Sequence, residues 1–253
     1  MECFSKGRSA MDWTIILITG TGFLLAGIVK GATGLGYSTC ALPFLVMAMG
    51  LKPAMAVVLI PAMTTNVSMA LSTGHLREIA VRFRVLYLSM LPGIAVGEYL
   101  LLWVSQPAAV KTLGVAIVTY AALALSRPHM VLPVRLAGPL QAPTGFLNGV
   151  MTGLTGAQVM PLFPYIMGLN LDTDRTVQSI NLAVLIASTI LAIGLVMTGI
   201  MTPLLLMGSM VAIVPALVGV QIGTKARRFI PADSFRRVVL STLLLMGASM
   251  LAR

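Results

Sequence analysis

Gly27 to Cys40 reads GIVKGATGLGYSTC: four glycines and a lysine set into a run otherwise apolar enough for lipid. Glycine in a helix interior is about 1 kcal/mol less favourable than alanine. A lysine at the bilayer centre costs roughly 2.5–3.5 kcal/mol on insertion scales. The stretch therefore predicts a helix that stops at a glycine break. Lys30 either works at that break or snorkels its ammonium to the headgroups.

The rest of the chain says that the medium is lipid. Of 253 residues, 58% are hydrophobic and 9% charged, where soluble domains carry roughly 25% charged residues. The stretches Trp13 to Val29, Gly31 to Leu51, Pro53 to Leu71, Leu136 to Leu171 and Thr176 to Thr224 hold no charge at all. A crossing helix needs about 20 apolar residues, so several of them hold more than one crossing. The formal charge of +10 sits in short loops between apolar runs. That is the positive-inside pattern, and no nucleic-acid partner is expected. Cys3 and Cys40 make no disulfide framework, and Cys40 reads as a small buried residue. After MECFSKGRSAMD no small-residue cleavage site follows, so Trp13 to Val29 is expected to stay as a membrane segment.

Turn and charge signals divide the chain into about ten apolar segments, near 13–30, 36–50, 53–72, 85–104, 109–125, 139–153, 157–168, 176–197, 202–223 and 238–252. Segments 36–50 and 157–168 are short and follow glycine-rich breaks, which predicts broken or re-entrant hairpins. Basic residues cluster at Arg77, Arg82 and Arg84, at Arg127 and Arg135, and at Lys225, Arg227, Arg228, Arg236 and Arg237. The loops around Gln106 and Gly199 are nearly uncharged, with Lys111 the nearest basic residue. The basic loops are expected in the cytoplasm, and both termini outside.

The two halves repeat. Gly27, Gly31, Thr33 and Gly34 match Gly149, Gly153, Thr155 and Gly156 as G-x-x-x-G-x-T-G, 122 residues apart. PGIAVG (92–97) recurs as PALVG (215–219), and MGL closes both short segments. Five segments per half is an odd number, so the second half must enter from the opposite face. The expected fold is an all-α polytopic bundle of two inverted repeats, 13–126 and 139–253, each with a glycine-broken hairpin. A tail, 1–12, precedes them and a cytoplasmic linker, 127–138, joins them. Many secondary transporters have this architecture.

A broken helix presents unpaired N–H groups and about half a positive charge at its new N-terminus, where oxyanions bind. The expected helix starts are near Tyr37–Ser38 and near Ala157–Gln158. Thr33, Ser38, Thr39 and Thr155 offer hydroxyls beside them, and Lys30 a full charge. Gly27, Gly31, Gly149 and Gly153 equally suit close helix packing. Gly34, Gly36 and Gly156 go beyond that spacing and better suit irregular backbone. Asn66, Gln178 and Asn181 are interhelical ties or lining groups, Tyr165 an interfacial ring. Glu98 is the sole acid inside a long apolar segment and a weak candidate for proton coupling. The candidate binding set is Lys30, Thr33, Gly34, Gly36, Tyr37, Ser38, Asn66, Thr155, Gly156, Gln158, Gln178 and Asn181.

Enzyme motifs are missing. GATGLG is neither a dinucleotide fingerprint nor a phosphate loop, and there is no H-E-x-x-H. His75 and His129 fall in loops, leaving no membrane histidine to activate Ser38 or Cys40. No cofactor or metal is expected.

GIVKGATGLGYSTCALPFL (27–45) and GFLNGVMTGLTGAQVMPLFPYIMGLNLDTDRTVQSINL (145–182), with LGVAIVTYAALALSRP (113–128) and FRRVVLSTLLLMGASML (235–251), resemble the sulfite exporter TauE/SafE family of anion permeases. The resemblance covers most of the chain in the family's order. It implies a bacterial inner-membrane transporter of sulfite, thiosulfate or an organosulfonate, with the glycine stretches around Thr33, Gly34, Thr155 and Gly156 building the site. Gln178 sits where members often carry glutamine, whereas Asn181 and Met160 depart from the small or aliphatic residues expected there. Alternating access with the anion at both helix starts is the leading expectation; an anion channel, or a transporter of another small organic anion, is the alternative. Which anion, the coupling ion and the oligomeric state, a homodimer included, stay open.

Overall fold

A computed structural model describes residues 3–34, 36–72, 74–126, 131–226 and 232–252. These form thirteen helices, with no strand among the described residues. In chain order they are α1 (Cys3–Thr33), α2 (Tyr37–Met49), α3 (Leu51–Ser72), α4 (Leu76–Arg82), α5 (Arg84–Trp103), α6 (Gln106–Ser126), α7 (Val134–Ala137), α8 (Gln141–Thr155), α9 (Leu162–Gly168), α10 (Thr173–Met197), α11 (Pro203–Val211), α12 (Ile213–Ala226) and α13 (Ala232–Leu251). Among the described residues five stretches are long and apolar enough to cross a membrane: Leu51–Ala70, Arg84–Trp103, Gln106–Ser126, Thr173–Met197, and Pro203–Ala226, which takes in α11 and α12. Their outer faces expose Leu88, Trp103, Leu204 and Val211, as lipid contact requires.

All ten expected segments have helices. Two further short helices, α4 and α7, lie in stretches read as loops, and segment 202–223 is interrupted at Ala212. Arg127, His129, Arg227 and Arg228 lie outside the described residues.

The first break falls where the glycines predict it. Gly34 and Gly36 sit at φ +78° and +81°, a left-handed backbone that a side chain makes costly. Gly156 ends α8 at φ +74°, its N–H donating to the Thr152 carbonyl at 2.8 Å. The second helix start is a correction. No helix begins near Ala157–Gln158; residues 157–161 continue without helix and α9 begins at Leu162, only seven residues long. A proline at 161, joined to Met160 by a cis bond, and another at 164 suit the first turn of a helix better than its interior. Tyr165 Oη donates to the Ala137 carbonyl at 2.5 Å, and Phe163 meets the Tyr120 ring edge-on at 5.5 Å. Tyr165 is therefore a buried tie.

Glycine spacing decides the closest contacts. At Gly27 and Gly31 of α1 an added Cβ would run into the carbonyl oxygens of Ala216 and Val220 on α12. At Gly149 and Gly153 of α8 it would meet those of Met90 and Ile94 on α5. Facing them stand Gly219 and Gly223 in one seam and Gly93 and Gly97 in the other. These small residues let two backbones touch, so for Gly27, Gly31, Gly149 and Gly153 the structure gives packing. Gly219 faces Gly27 as Gly93 faces Gly149. The contacts thus set Gly219 against Gly93, one turn from the Gly97 alignment that PGIAVG and PALVG suggest.

Between the seams, α3 packs against α10, and α6 against α13. Pro61 inside α3 has no N–H for the Val57 carbonyl, four residues earlier. In lipid that carbonyl needs another donor, and the buried Ser209 of α11 supplies it: its Oγ donates to Val57 O at 2.8 Å and accepts from Ile60 N at 3.2 Å.

Candidate functional site

Lys30 occupies the last turn of α1 and is 1% exposed. Its ammonium donates to Oδ1 of Asn66 on α3 and to Oδ1 of Asn181 on α10, the latter at 2.9 Å. Backbone contacts aim both amides. Asn66 Nδ2 donates to the Ala62 carbonyl at 2.7 Å, and Asn181 Nδ2 to Val177 O at 2.8 Å and Gly34 O at 3.1 Å. With each nitrogen engaged on main chain, each oxygen is left for the lysine. Both asparagines are thus ties and lining groups together.

This cluster walls an internal cavity between the halves. Gly36, Tyr37, Ser38 and Thr39, the start of α2, form a second wall; Gln158 and Phe163 close it from the other half, with Ile180 and Val184 beside Asn181. The cavity is tight, about 10 Å³ for water centres, room for about one water molecule. Gly36 brings no side chain to cap α2, so the first N–H groups of that helix lack intrahelical partners and its dipole adds positive potential.

Charge and polarity there are lopsided. Among the described residues Lys30 is the one charged residue on the wall. The ion pairs among the described residues all join His75, Glu78, Asp172 and Arg175 elsewhere, so no carboxylate there pairs with Lys30. Buried Tyr37 and Gln158 each keep a polar atom, Oη and Oε1, without a protein partner, while Gln158 Nε2 donates to Ser188 Oγ at 3.0 Å. Among the described residues no three His, Cys, Asp or Glu side chains gather as a metal site would need.

Of the expected binding set, Lys30, Gly36, Tyr37, Ser38, Asn66, Gln158 and Asn181 therefore meet at one cavity. The other five do not line it. Thr33 Oγ1 donates back to Val29 O at 2.8 Å, and Thr155 Oγ1 to Met151 O at 2.6 Å while accepting from Ala157 N at 3.2 Å. Helical threonine hydroxyls commonly turn to their own backbone in this way. Gly34 contributes its carbonyl to Asn181. A side chain at Gly156 would meet Met55 and Leu42. Gln178 donates to Ala70 O at 3.0 Å and leaves Oε1 unpartnered. Glu98 also lies apart, half-buried, with its carboxylate against Gly194 of α10 and Oε1 unpartnered. Phe163, Ile180, Val184 and Ser188 escaped the sequence reading. Ser188 had a signal, since it stands 122 residues after Asn66, the offset of the glycine motifs.

At the end of the bilayer-length stretch Thr173–Met197, one exposed clasp joins α4 to the start of α10. Arg175 donates to Glu78 at 2.8 and 3.1 Å and to Asp172 at 2.5 Å. Its guanidinium holds the Glu78 carboxyl below the usual range; for Asp172 the Arg175 backbone N–H, at 2.9 Å, does so first and the guanidinium second.

A family model described as Sulfite exporter TauE/SafE matches residues 19–250. No curated protein and no solved structure matches. The match runs through both helix breaks and every helix that brings Lys30, Asn66, Asn181 and Gln158 together, and on it the chain belongs to the sulfite exporter TauE/SafE family, multi-pass membrane proteins of anion transport.

Proposed function

We propose that the protein carries a small sulfur-containing anion, sulfite, thiosulfate or an organosulfonate, across the membrane by alternating access. The Lys30 ammonium and the N-terminus of α2 hold the anion, and Gln158 meets it from the second half. The observation that carries this reading is a buried lysine with two amide oxygens and no carboxylate among the described residues. A buried ion loses several kcal/mol of hydration, and two neutral acceptors offset only part of that. An anion beside Lys30 completes the pairing, and the α2 amides can bind its remaining oxygens.

Two further features support a carrier built from inverted repeats. The contacts pair α1 with α12 and α8 with α5, and place α3 on α10 and α6 on α13, as an exchange of halves about a two-fold axis in the membrane would. The cavity, with room for about one water, must widen to admit the anion, as the site of a carrier that opens and closes does and that of an open channel does not. The face bearing Arg77, Arg82 and Arg84 is assigned to the cytoplasm of an inner membrane, with both termini outside. Glu98 is the candidate for carrying a coupled proton.

Uptake of radiolabelled sulfite and thiosulfate into proteoliposomes tests the site. Lys30→Met, recovered at wild-type levels in the membrane, is expected to lose most of the flux. Unchanged flux would remove Lys30 from the pathway.

A further inference from the structure

Resting on that reading, we infer that the cavity selects a singly charged anion that carries a hydroxyl: hydrogensulfite in preference to the sulfite, sulfate or thiosulfate dianions. Two independent observations lead there. The first is charge. Among the described residues the walls hold one cation, Lys30, and no second basic residue. A monoanion neutralises it. A dianion brings an extra negative charge among buried side chains with room for about one water, where an unmatched charge interacts far more strongly than in bulk.

The second is the balance of donors and acceptors. An ammonium has three protons; Lys30 commits two to Asn66 and Asn181 and keeps one. The start of α2 adds backbone N–H groups, and Tyr37 a buried, unpartnered hydroxyl. Donors therefore suffice for the anion's oxygens. Gln158 is different: its nitrogen is held by Ser188, and its buried Oε1 is an acceptor with no donor. A buried acceptor left unmet costs about as much as a lost hydrogen bond. A bare oxyanion oxygen against Gln158 Oε1 would be repelled, whereas an S–OH or other hydroxyl would donate to it. Gln158 then reads the protonated edge of the ligand and Lys30 with the α2 amides its charged edge.

The test is inhibition of radiolabelled sulfite uptake in proteoliposomes with equal pH on both sides. The competitors are methanesulfonate, a monoanion without a hydroxyl, and sulfate, a dianion. Sulfate is expected to inhibit at least about tenfold more weakly than methanesulfonate. Unlabelled sulfite is expected to outcompete methanesulfonate under acidic conditions, where hydrogensulfite prevails, and to lose that margin in Gln158→Leu. Gln158→Met keeps the side chain's length and replaces the leucine variant if that does not insert. Equal inhibition by sulfate and methanesulfonate, with sulfite uptake intact, overturns the charge selection while leaving transport standing. A margin that survives loss of the Gln158 amide overturns its role as reader of the hydroxyl. If the wild type takes up neither sulfite nor thiosulfate, the transport reading itself falls.

Discussion

The Gly34 carbonyl accepts a hydrogen bond from Asn181 Nδ2 at 3.1 Å, across 147 positions of sequence. The same amide turns its oxygen to the Lys30 ammonium. One side chain of the second half thus fixes both the backbone of the first helix break and the charge beside it. Asn181→Ala leaves the Gly34 carbonyl and one ammonium proton unmet, at about 1–3 kcal/mol for each buried group. Thermal unfolding in detergent is expected to show the loss. Asn181→Asp is expected to keep more of the stability, because a carboxylate pairs with Lys30, and yet to lose anion uptake, since the lysine is then neutralised from within. Near-normal uptake by the aspartate variant would refute an anion-pairing role for Lys30.

Glycine substitutions should separate seam from surface. Gly219→Ala and Gly93→Ala drive a methyl into the carbonyl oxygens of Leu24 and Phe146, and overpacking of this kind costs about 1–3 kcal/mol. Gly208→Ala in α11 meets nothing within 4 Å. It should be neutral or stabilising by up to about 1 kcal/mol, the helix preference of alanine over glycine. Detergent-solubilised yield and melting temperature, measured side by side, check the order.

Ser209 and Pro61 should be coupled. Ser209→Ala strips the donor from the Val57 carbonyl and is expected to destabilise by about 1–3 kcal/mol. In a Pro61→Ala background residue 61 supplies its own N–H to that carbonyl, so the serine should matter less. A double-mutant cycle on thermal stability reads the coupling; strict additivity would show that the hydroxyl does not replace the proline's missing donor.

Acid should loosen the α4–α10 clasp. Glu78 and Asp172 titrate below their ordinary range in the folded chain, so folding favours their charged forms. That contribution is full above the usual carboxylate range and fades as pH falls through the lowered values. Both groups are exposed, so the effect is small and screened by salt. Melting temperature measured against pH should fall on acidification, and Glu78→Gln should lower it at neutral pH while flattening the acid slope.

The helices were largely legible because lipid leaves few ways to place uncharged runs of this length, and because Gly34, Gly36 and Gly156 supply backbone that helices reject. The second break was readable only at its upstream edge. Gly156 ends α8, but the path of residues 157–168 depends on Pro161 and Pro164 and on distant contacts from Ala137 and Tyr120. Lys30, Asn66 and Asn181 could be suspected singly as polar groups in apolar runs; their meeting depends on how α1, α3 and α10 pack. Thr33 and Thr155 look alike to Ser38 in sequence, yet a helical position turns their hydroxyls inward on their own carbonyls, while Ser38 opens a helix at the cavity. The PGIAVG and PALVG similarity carried the right glycines one turn out of step, because a helix face repeats every three to four residues and a short motif cannot fix which turn is meant.

The paired glycines along α1–α12 and α8–α5 also bear on how this family is dissected genetically. A random screen scored only by lost growth or lost flux would recover Gly93, Gly97, Gly219 and Gly223 alongside Lys30, because a single methyl at any of them pries two backbones apart. A binding-site map drawn from such hits would follow the seams and miss the cavity, unless each variant's abundance in the membrane were counted as well.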